Sequence, residues 1–150
     1  MIVQTQFSVF LVNKPGVLAR VLDELAASRI NITALTVADT TEHGVLRIVS
    51  DDPDAVRECL SRLDLPTAET KVIEAPIPNR PGAVASLCDR LASARININY
   101  AYCTAGTQGN KTTCILKVAD PKKAERVLDD NRPRRKERRT TKRRPRSPAR

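Results

Sequence analysis

Tryptophan is absent from this 150-residue chain, and phenylalanine and tyrosine number two each. Its core must therefore be built from Val, Ile, Leu and Ala, and stacking of nucleic-acid bases on aromatic rings has little to work with. There is one histidine, His43, within Thr40-Thr41-Glu42-His43-Gly44, a stretch that reads as a turn. That leaves no His-based triad or metal site to assemble, and His43 is expected at the surface. The four cysteines, Cys59, Cys88, Cys103 and Cys114, show no CxxC spacing. Buried free thiols in a reducing cytoplasm are the expected state, with a Cys103–Cys114 bridge across a predicted hairpin as the alternative. No run reaches the eighteen apolar residues of a membrane span. The N-terminal stretch also lacks the basic segment and apolar run of a secretory leader. These absences lead to the expectation of a cytoplasmic protein with no cofactor.

Charge is present but unevenly placed. Residues 132–150 hold eleven Lys or Arg and one Glu, +10 in all, so the rest of the chain, against +9 overall, carries −1. A segment so rich in Arg, Lys and Pro cannot bury enough surface to offset the entropy of ordering, and is expected to be disordered. Its partners would be phosphates or an acidic protein, met electrostatically and with little sequence specificity.

What organises the rest is repetition. Val12-Asn13-Lys14-Pro15-Gly16-Val17-Leu18 returns sixty-six residues on as Pro78-Asn79-Arg80-Pro81-Gly82-Ala83-Val84, and Arg29-Ile30-Asn31-Ile32 returns at the same interval as Arg95-Ile96-Asn97-Ile98. Asp52-Pro53 reappears as Asp120-Pro121 after an interval of sixty-eight, so the second copy has gained two residues. Self-similarity held over some fifty residues means one structural unit used twice.

Each copy has the same plan. Gln4–Val12 alternates as a strand, and Val17, Leu18, Val21, Leu22 and Leu25 share one face of a helix. Strands are predicted for 30–38 and 45–50, and Asp51-Asp52-Pro53 reads as the start of a second helix to about Leu63. Residues 67–78 form one extended run with two tasks, last strand of the first unit and first strand of the second. The second unit continues with helix 82–94, strand 97–104, turn 105–111, strand 112–118 and helix 121–130. No closing strand follows, so the shared strand or another chain must supply it. The fold class is α+β: two ferredoxin-like βαββαβ units in tandem, with antiparallel sheets and helices on one face. The predicted divisions are 1–70, 71–131 and the basic tail 132–150.

The phrase Asn-x-Pro-Gly between strand and helix, with Arg-Ile-Asn-Ile opening the next strand, resembles the ACT domain, twice over and across about residues 5–130. It is similar to small stand-alone tandem-ACT proteins and to the regulatory ends of enzymes such as phosphoglycerate dehydrogenase, whose eighteen-residue Asn-to-Asn interval matches 13 to 31 and 79 to 97. The resemblance implies a small amino acid held between two ACT units. Candidate contacts are Asn13, Pro15, Gly16, Val17, Leu18 and Asn31, and Asn79, Pro81, Gly82, Ala83, Val84 and Asn97. The chemistry of these residues agrees: helix N-terminal N–H groups suit a carboxylate, and Asn carries both donor and acceptor. Asn-x-Pro-Gly is also a good turn in its own right. The substitutions Ala83-Val84 for Val17-Leu18 imply that two such sites need not be equivalent. Gly106 to Thr112 is not a phosphate loop, because Lys111 stands where the second glycine belongs.

The reading is a non-enzymatic amino-acid sensor, expected as a homodimer. The alternative is a nucleic-acid-associated protein that uses the tail, with the ACT-like body as a dimerisation scaffold. An enzyme has no residues to support it.

Overall fold

The computed structural model describes residues 1–39, 43–104 and 111–130; the basic tail and most of both predicted hairpin turns lie outside these. The elements, in order, are β1 (Ile2–Val12), α1 (Val17–Ala27), β2 (Ile32–Asp39), β3 (His43–Ser50) and α2 (Pro53–Arg62), then β4 (Thr67–Pro78), α3 (Ala83–Ser93), β5 (Ile98–Thr104), β6 (Lys111–Val118) and α4 (Pro121–Asp129). The six strands form one antiparallel sheet in the order β2-β3-β1-β4-β6-β5.

Alternation along the strands decides which face meets the helices. Phe7, Val9 and Leu11 of β1 and Leu46 and Ile48 of β3 pack with Val21 and Leu25 of α1 and Val56 and Leu60 of α2. Ile73, Ala75 and Ile77 of β4 and Cys114, Leu116 and Val118 of β6 pack with Leu87 and Leu91 of α3 and Ala124 and Leu128 of α4. All four helices thus cover one face, as the patterning predicts. Arg57 of α2 ties its helix down by two bonds to Glu69 of β4, at 2.6 and 3.0 Å. Arg90 of α3 donates to the carbonyls of Val127, Leu128 and Asp130 at the end of α4.

The long strand β4 performs both tasks expected of it. Residues 67–74 pair with β1, and residues 73–78 pair with β6. Pro76 and Pro78 fall beyond the reach of β1, where one edge of the strand has no ladder to donate to. The missing last strand of the second repeat is supplied within the chain, by β1. Its Val3, with Met1, packs into the second core, while its Phe7, Val9 and Leu11 fill the first. One reason for expecting a second chain therefore falls away. Thr5 sits directly opposite Lys71, its own counterpart at the repeat interval, and the Lys71 ammonium donates to Thr5 Oγ1 at 2.7 Å. A local two-fold axis passes between them.

The sheet is not flat. Its two edge strands, β2 and β5, come into contact, although in a flat sheet they would lie about 24 Å apart at 4.8 Å per strand. Curling buries Ala34, Val49, Val72 and Ile115 on the concave face, with Tyr102 packed against them. This explains why β1 is buried on both faces from Thr5 to Val9.

Cys103 and Cys114 face each other across β5 and β6, Cα atoms 4.2 Å apart, and form a disulfide. This corrects the expectation of four thiols. Cys59 and Cys88 are free. Register decides it: Cys103 and Cys114 are direct partners in the β5–β6 ladder, next to the Thr104–Thr113 pair. The pairing also removes the cysteine-based argument for a reducing compartment.

Because β1 enters both cores, and β4 pairs with β1 on one side and β6 on the other, the halves should unfold together. Leu25→Ala and its repeat counterpart Leu91→Ala, both fully buried, are expected to cost about 2–5 kcal/mol each. In urea, far-UV dichroism and tyrosine emission should report one coincident transition for each variant. Two separated transitions would contradict the shared-strand account.

Candidate functional site at the strand-helix loops

Lys14-Pro15-Gly16-Val17 forms a type II turn: Val17 N–H donates to the Lys14 carbonyl at 3.3 Å, and Gly16 has φ 87° and ψ −17°. Arg80-Pro81-Gly82-Ala83 repeats it, with Ala83 N–H to Arg80 carbonyl at 3.2 Å and Gly82 at φ 82°. Pro presets the first central residue of such a turn and Gly takes the left-handed second. A Cβ at either glycine would meet nothing within 4 Å, so backbone angle, not crowding, requires the residue. Open space lies in front of both loops.

The two helices that follow differ from the other two at their starts. The cap residues of α1 and α3, Gly16 and Gly82, make no side-chain cap bond, whereas Asp52 caps α2 by accepting from Ala55 N–H at 3.0 Å, and Asp120 caps α4 by accepting from Lys123 N–H at 2.9 Å. The helix ends after the Pro-Gly loops thus offer first-turn N–H groups and the positive end of the helix dipole to an incoming anion.

The Arg-Ile-Asn-Ile motif has a structural half and an open half. Arg29 and Arg95 adopt left-handed angles, φ 55° and 56°, just past the ends of α1 and α3. Ile30 N–H then bonds the Leu25 carbonyl at 3.0 Å, and Ile96 N–H the Leu91 carbonyl at 2.9 Å. These are Schellman closures, and the isoleucines are buried against the leucines they bond. Asn31 is held by its main chain, its carbonyl accepting from Ser50 Oγ at 2.7 Å. Its side chain is exposed, as are those of Asn13, Asn79 and Asn97. Pro15, Gly16, Pro81, Gly82 and Val84 are exposed too, and Val17, Leu18 and Ala83 are half-buried.

A cleft of about 410 Å³ opens beside Asn31, lined by Ser28, Arg29, Ile30, Asp51, Asp52 and Ala55. It is not near Asn13. Ile32 faces Ser50, and Val49 faces Gln6, so Asn31 is level with about residue 5 of β1. Asn13 is some eight residues further along, roughly 26 Å at 3.3 Å per residue. Asn97 is equally far, because Ile98 faces Val118, two residues past the Leu116–Ile73 pair. The loops at Asn13 and Asn79 leave opposite ends of the sheet, since β1 and β4 run antiparallel. One chain therefore keeps its Pro-Gly loops apart from its Arg-Ile-Asn-Ile asparagines.

A second polar constellation, which the sequence reading did not anticipate, lies on the concave face. Gln6 is fully buried. Its Nε2 donates to the Tyr100 hydroxyl at 2.7 Å and lies 3.5 Å from Ser8 Oγ, and its Oε1 accepts from the Tyr102 hydroxyl at 3.1 Å. Arg47 stacks over the Tyr100 ring, 4.5 Å from its centroid. Burial, with a smaller effect of neighbouring Tyr100, pushes the Tyr102 phenol well above its ordinary value near 10, against the pull of Arg47. Among the described residues no group of His, Cys, Asp and Glu could hold a metal ion, and His43 is exposed at the start of β3. No helix among them is long and apolar enough to cross a membrane.

The family model for an ACT domain pair matches residues 1–137. The chain belongs to the ACT family. No curated protein matches it. Among solved structures, this ACT pair is similar to protein BT0572 from Bacteroides thetaiotaomicron, at 32% identity and TM-score 0.77 over 84% of this chain and 86% of that one. The regulatory subunit of aspartate kinase from Thermus thermophilus, in ligand-free form, shares the fold at 16% identity and TM-score 0.63, over 85% and 93%. The corresponding subunit from Thermus flavus does so at 15% and 0.53, over 83% and 90%.

Two measurements test the local physics. Gly16→Ala and Gly82→Ala should each destabilise by about 1–2 kcal/mol, since a side chain in the left-handed region is strained, and chemical denaturation will read it. Phenolate absorbance should show one tyrosine ionising above the ordinary range, and Tyr102→Phe should abolish that step. The sign follows from linkage: the unfolded phenol loses its proton first. The contribution of Tyr102 is therefore complete below about pH 10 and is lost as pH rises beyond it.

Proposed function

We propose that this ACT pair is a non-enzymatic amino-acid sensor, and that it closes its ligand sites by dimerising. The observation that carries the reading is the contrast in capping. The two helices behind the Pro-Gly loops start at glycines that make no side-chain cap bond, while the other two are capped by aspartate. Such an end suits the α-carboxylate of an amino acid. The ammonium end suits the cleft at Asn31, where Asp51 and Asp52 supply negative charge. Loop and cleft lie roughly 26 Å apart along the strands of one chain, further than a small amino acid spans. A second copy, turned so that its Asn31 or Asn97 meets the Asn13 or Asn79 loop of the first, completes the site. Contacts are then assigned to Asn13, Pro15, Gly16, Val17, Leu18 and Asn31, and to Asn79, Pro81, Gly82, Ala83, Val84 and Asn97. The two classes of site differ, because Ala119 stands in the second repeat where Asp51 stands in the first. A regulatory role accords with the aspartate kinase regulatory subunits that share the fold.

The test is a set of thermal melts of the full chain against the twenty amino acids at millimolar concentration, with light scattering. A ligand of the native state alone adds about 2.7 kcal/mol at a hundred times its dissociation constant. We expect one or two amino acids to raise the melting temperature and favour the dimer, and Asn13→Ala or Asn79→Ala to remove the effect. Binding in the nearly neutral body should change little with moderate salt. A flat response to all twenty, with salt-sensitive binding of nucleic acid by residues 132–150, would replace this reading with the scaffold alternative.

A further inference from the structure

Among the described residues, the concave face carries two cationic side chains, Arg47 and Lys117, that make no salt bridge. Thr36, Arg47 and Ser8 lie side by side in one row across β2, β3 and β1, and Tyr100 reaches over this row from β5 to Gln6. Arg47 is half-buried. Its guanidinium stacks on the Tyr100 ring, and among the described residues no carboxylate or carbonyl takes any of its five N–H donors. A guanidinium stacked on a ring keeps its edge free for a planar or tetrahedral anion. The Tyr100 hydroxyl accepts from Gln6, which leaves its own proton to donate elsewhere. Lys117, also half-buried, sits directly opposite Tyr100 on β6. The carboxylate on the described part of this face is Glu74, which is opposite Ile115, two positions from Lys117.

We propose that the concave face holds a second, anion-binding site, in which the Arg47 guanidinium and the Tyr100 hydroxyl, with Lys117 beside them, take a small carboxylate or phosphate. Charge-assisted bonds from Arg to such groups are among the stronger ones available to a protein, and partial burial limits their screening. The arrangement belongs to one face only. The repeat counterpart of Tyr100 is Ala34 and that of Arg47 is Ile115, so the chain has one such site, not two. It is independent of the Pro-Gly loops.

The chain provides its own probe. Its only two tyrosines are Tyr100 and Tyr102, and it has no tryptophan, so intrinsic emission reads this face alone. The full chain would be titrated with inorganic phosphate and, separately, with succinate, at constant ionic strength made up with chloride. A saturable change in tyrosine emission is expected with at least one of them, and the stronger of the two names the source of the anion. Arg47→Gln should weaken it at least tenfold and Tyr100→Phe several-fold, while Arg126→Gln, on the exposed face of α4, should leave it unchanged. The basic tail is common to all of these proteins and so does not affect the comparison. If Arg47→Gln does not fold, Tyr100→Phe, which keeps the ring under Arg47, decides alone. No saturable change with either anion up to tens of millimolar, equal binding by the Arg47→Gln or Tyr100→Phe protein, or equal loss in Arg126→Gln would overturn the proposal.

Discussion

The pairing of β1 with β4 is the constraint on which the rest depends. The two strands are counterparts in the repeat, and they meet antiparallel with Thr5 against Lys71. That single register makes each the first strand of one repeat and the last strand of the other. Two half-sheets become one six-stranded sheet, and the second core is completed by Met1 and Val3 from the start of the first half. Units near sixty-five residues bury too small a share of their surface to be comfortable alone. Sharing the central strands removes one edge that each half would otherwise expose.

The same pairing sets where chemistry can occur. Antiparallel counterpart strands send the two Pro-Gly loops to opposite ends of the sheet and bring the two Arg-Ile-Asn-Ile segments to its middle. The duplication has kept the loops nearly identical in geometry, down to the left-handed glycines. On the concave face it has diverged: one half contributes Gln6, Ser8 and Arg47, and the other contributes Tyr100 and Tyr102. Symmetry is retained at the two helix starts behind the Pro-Gly loops. It is lost where the halves look at each other across the curl.

The ACT pair was largely legible in its sequence because its signals are local. Period-two and period-3.6 patterns, Pro-Gly before a helix and Asp-Pro at a helix start each report on a few neighbouring residues. They placed all ten elements to within a few positions. The second task of β1 was not legible, because Met1 and Val3 read like any strand start, and nothing local says which core they enter. Nor was the curl. Alternation tells which side a residue takes, not what the far edge of the sheet brings over it, so Gln6 and the two tyrosines could not be joined on paper. Arg29 and Arg95 stand in left-handed positions that sequence rules give to glycine, and only the bonds of Ile30 and Ile96 reveal them. For the candidate site, the residue types and the eighteen-residue interval could be read. The distance separating Asn13 from Asn31 could not, because it follows from strand register.

The exchange of β1 and β4 also sets an order of events as the chain leaves the ribosome. The first repeat has its hairpin and both helices once residue 62 has emerged, but its sheet waits for Thr67 onward. The second repeat then builds outward from β4 and finds its last strand already in place at the opposite end of the chain. Closing so long a loop is slow relative to forming local hairpins. A strand that must wait in this way is also one that a neighbouring chain can borrow. The feature that binds the two halves into one body thus leaves a period, early in the life of each molecule, when two chains could become joined by exchanging β1.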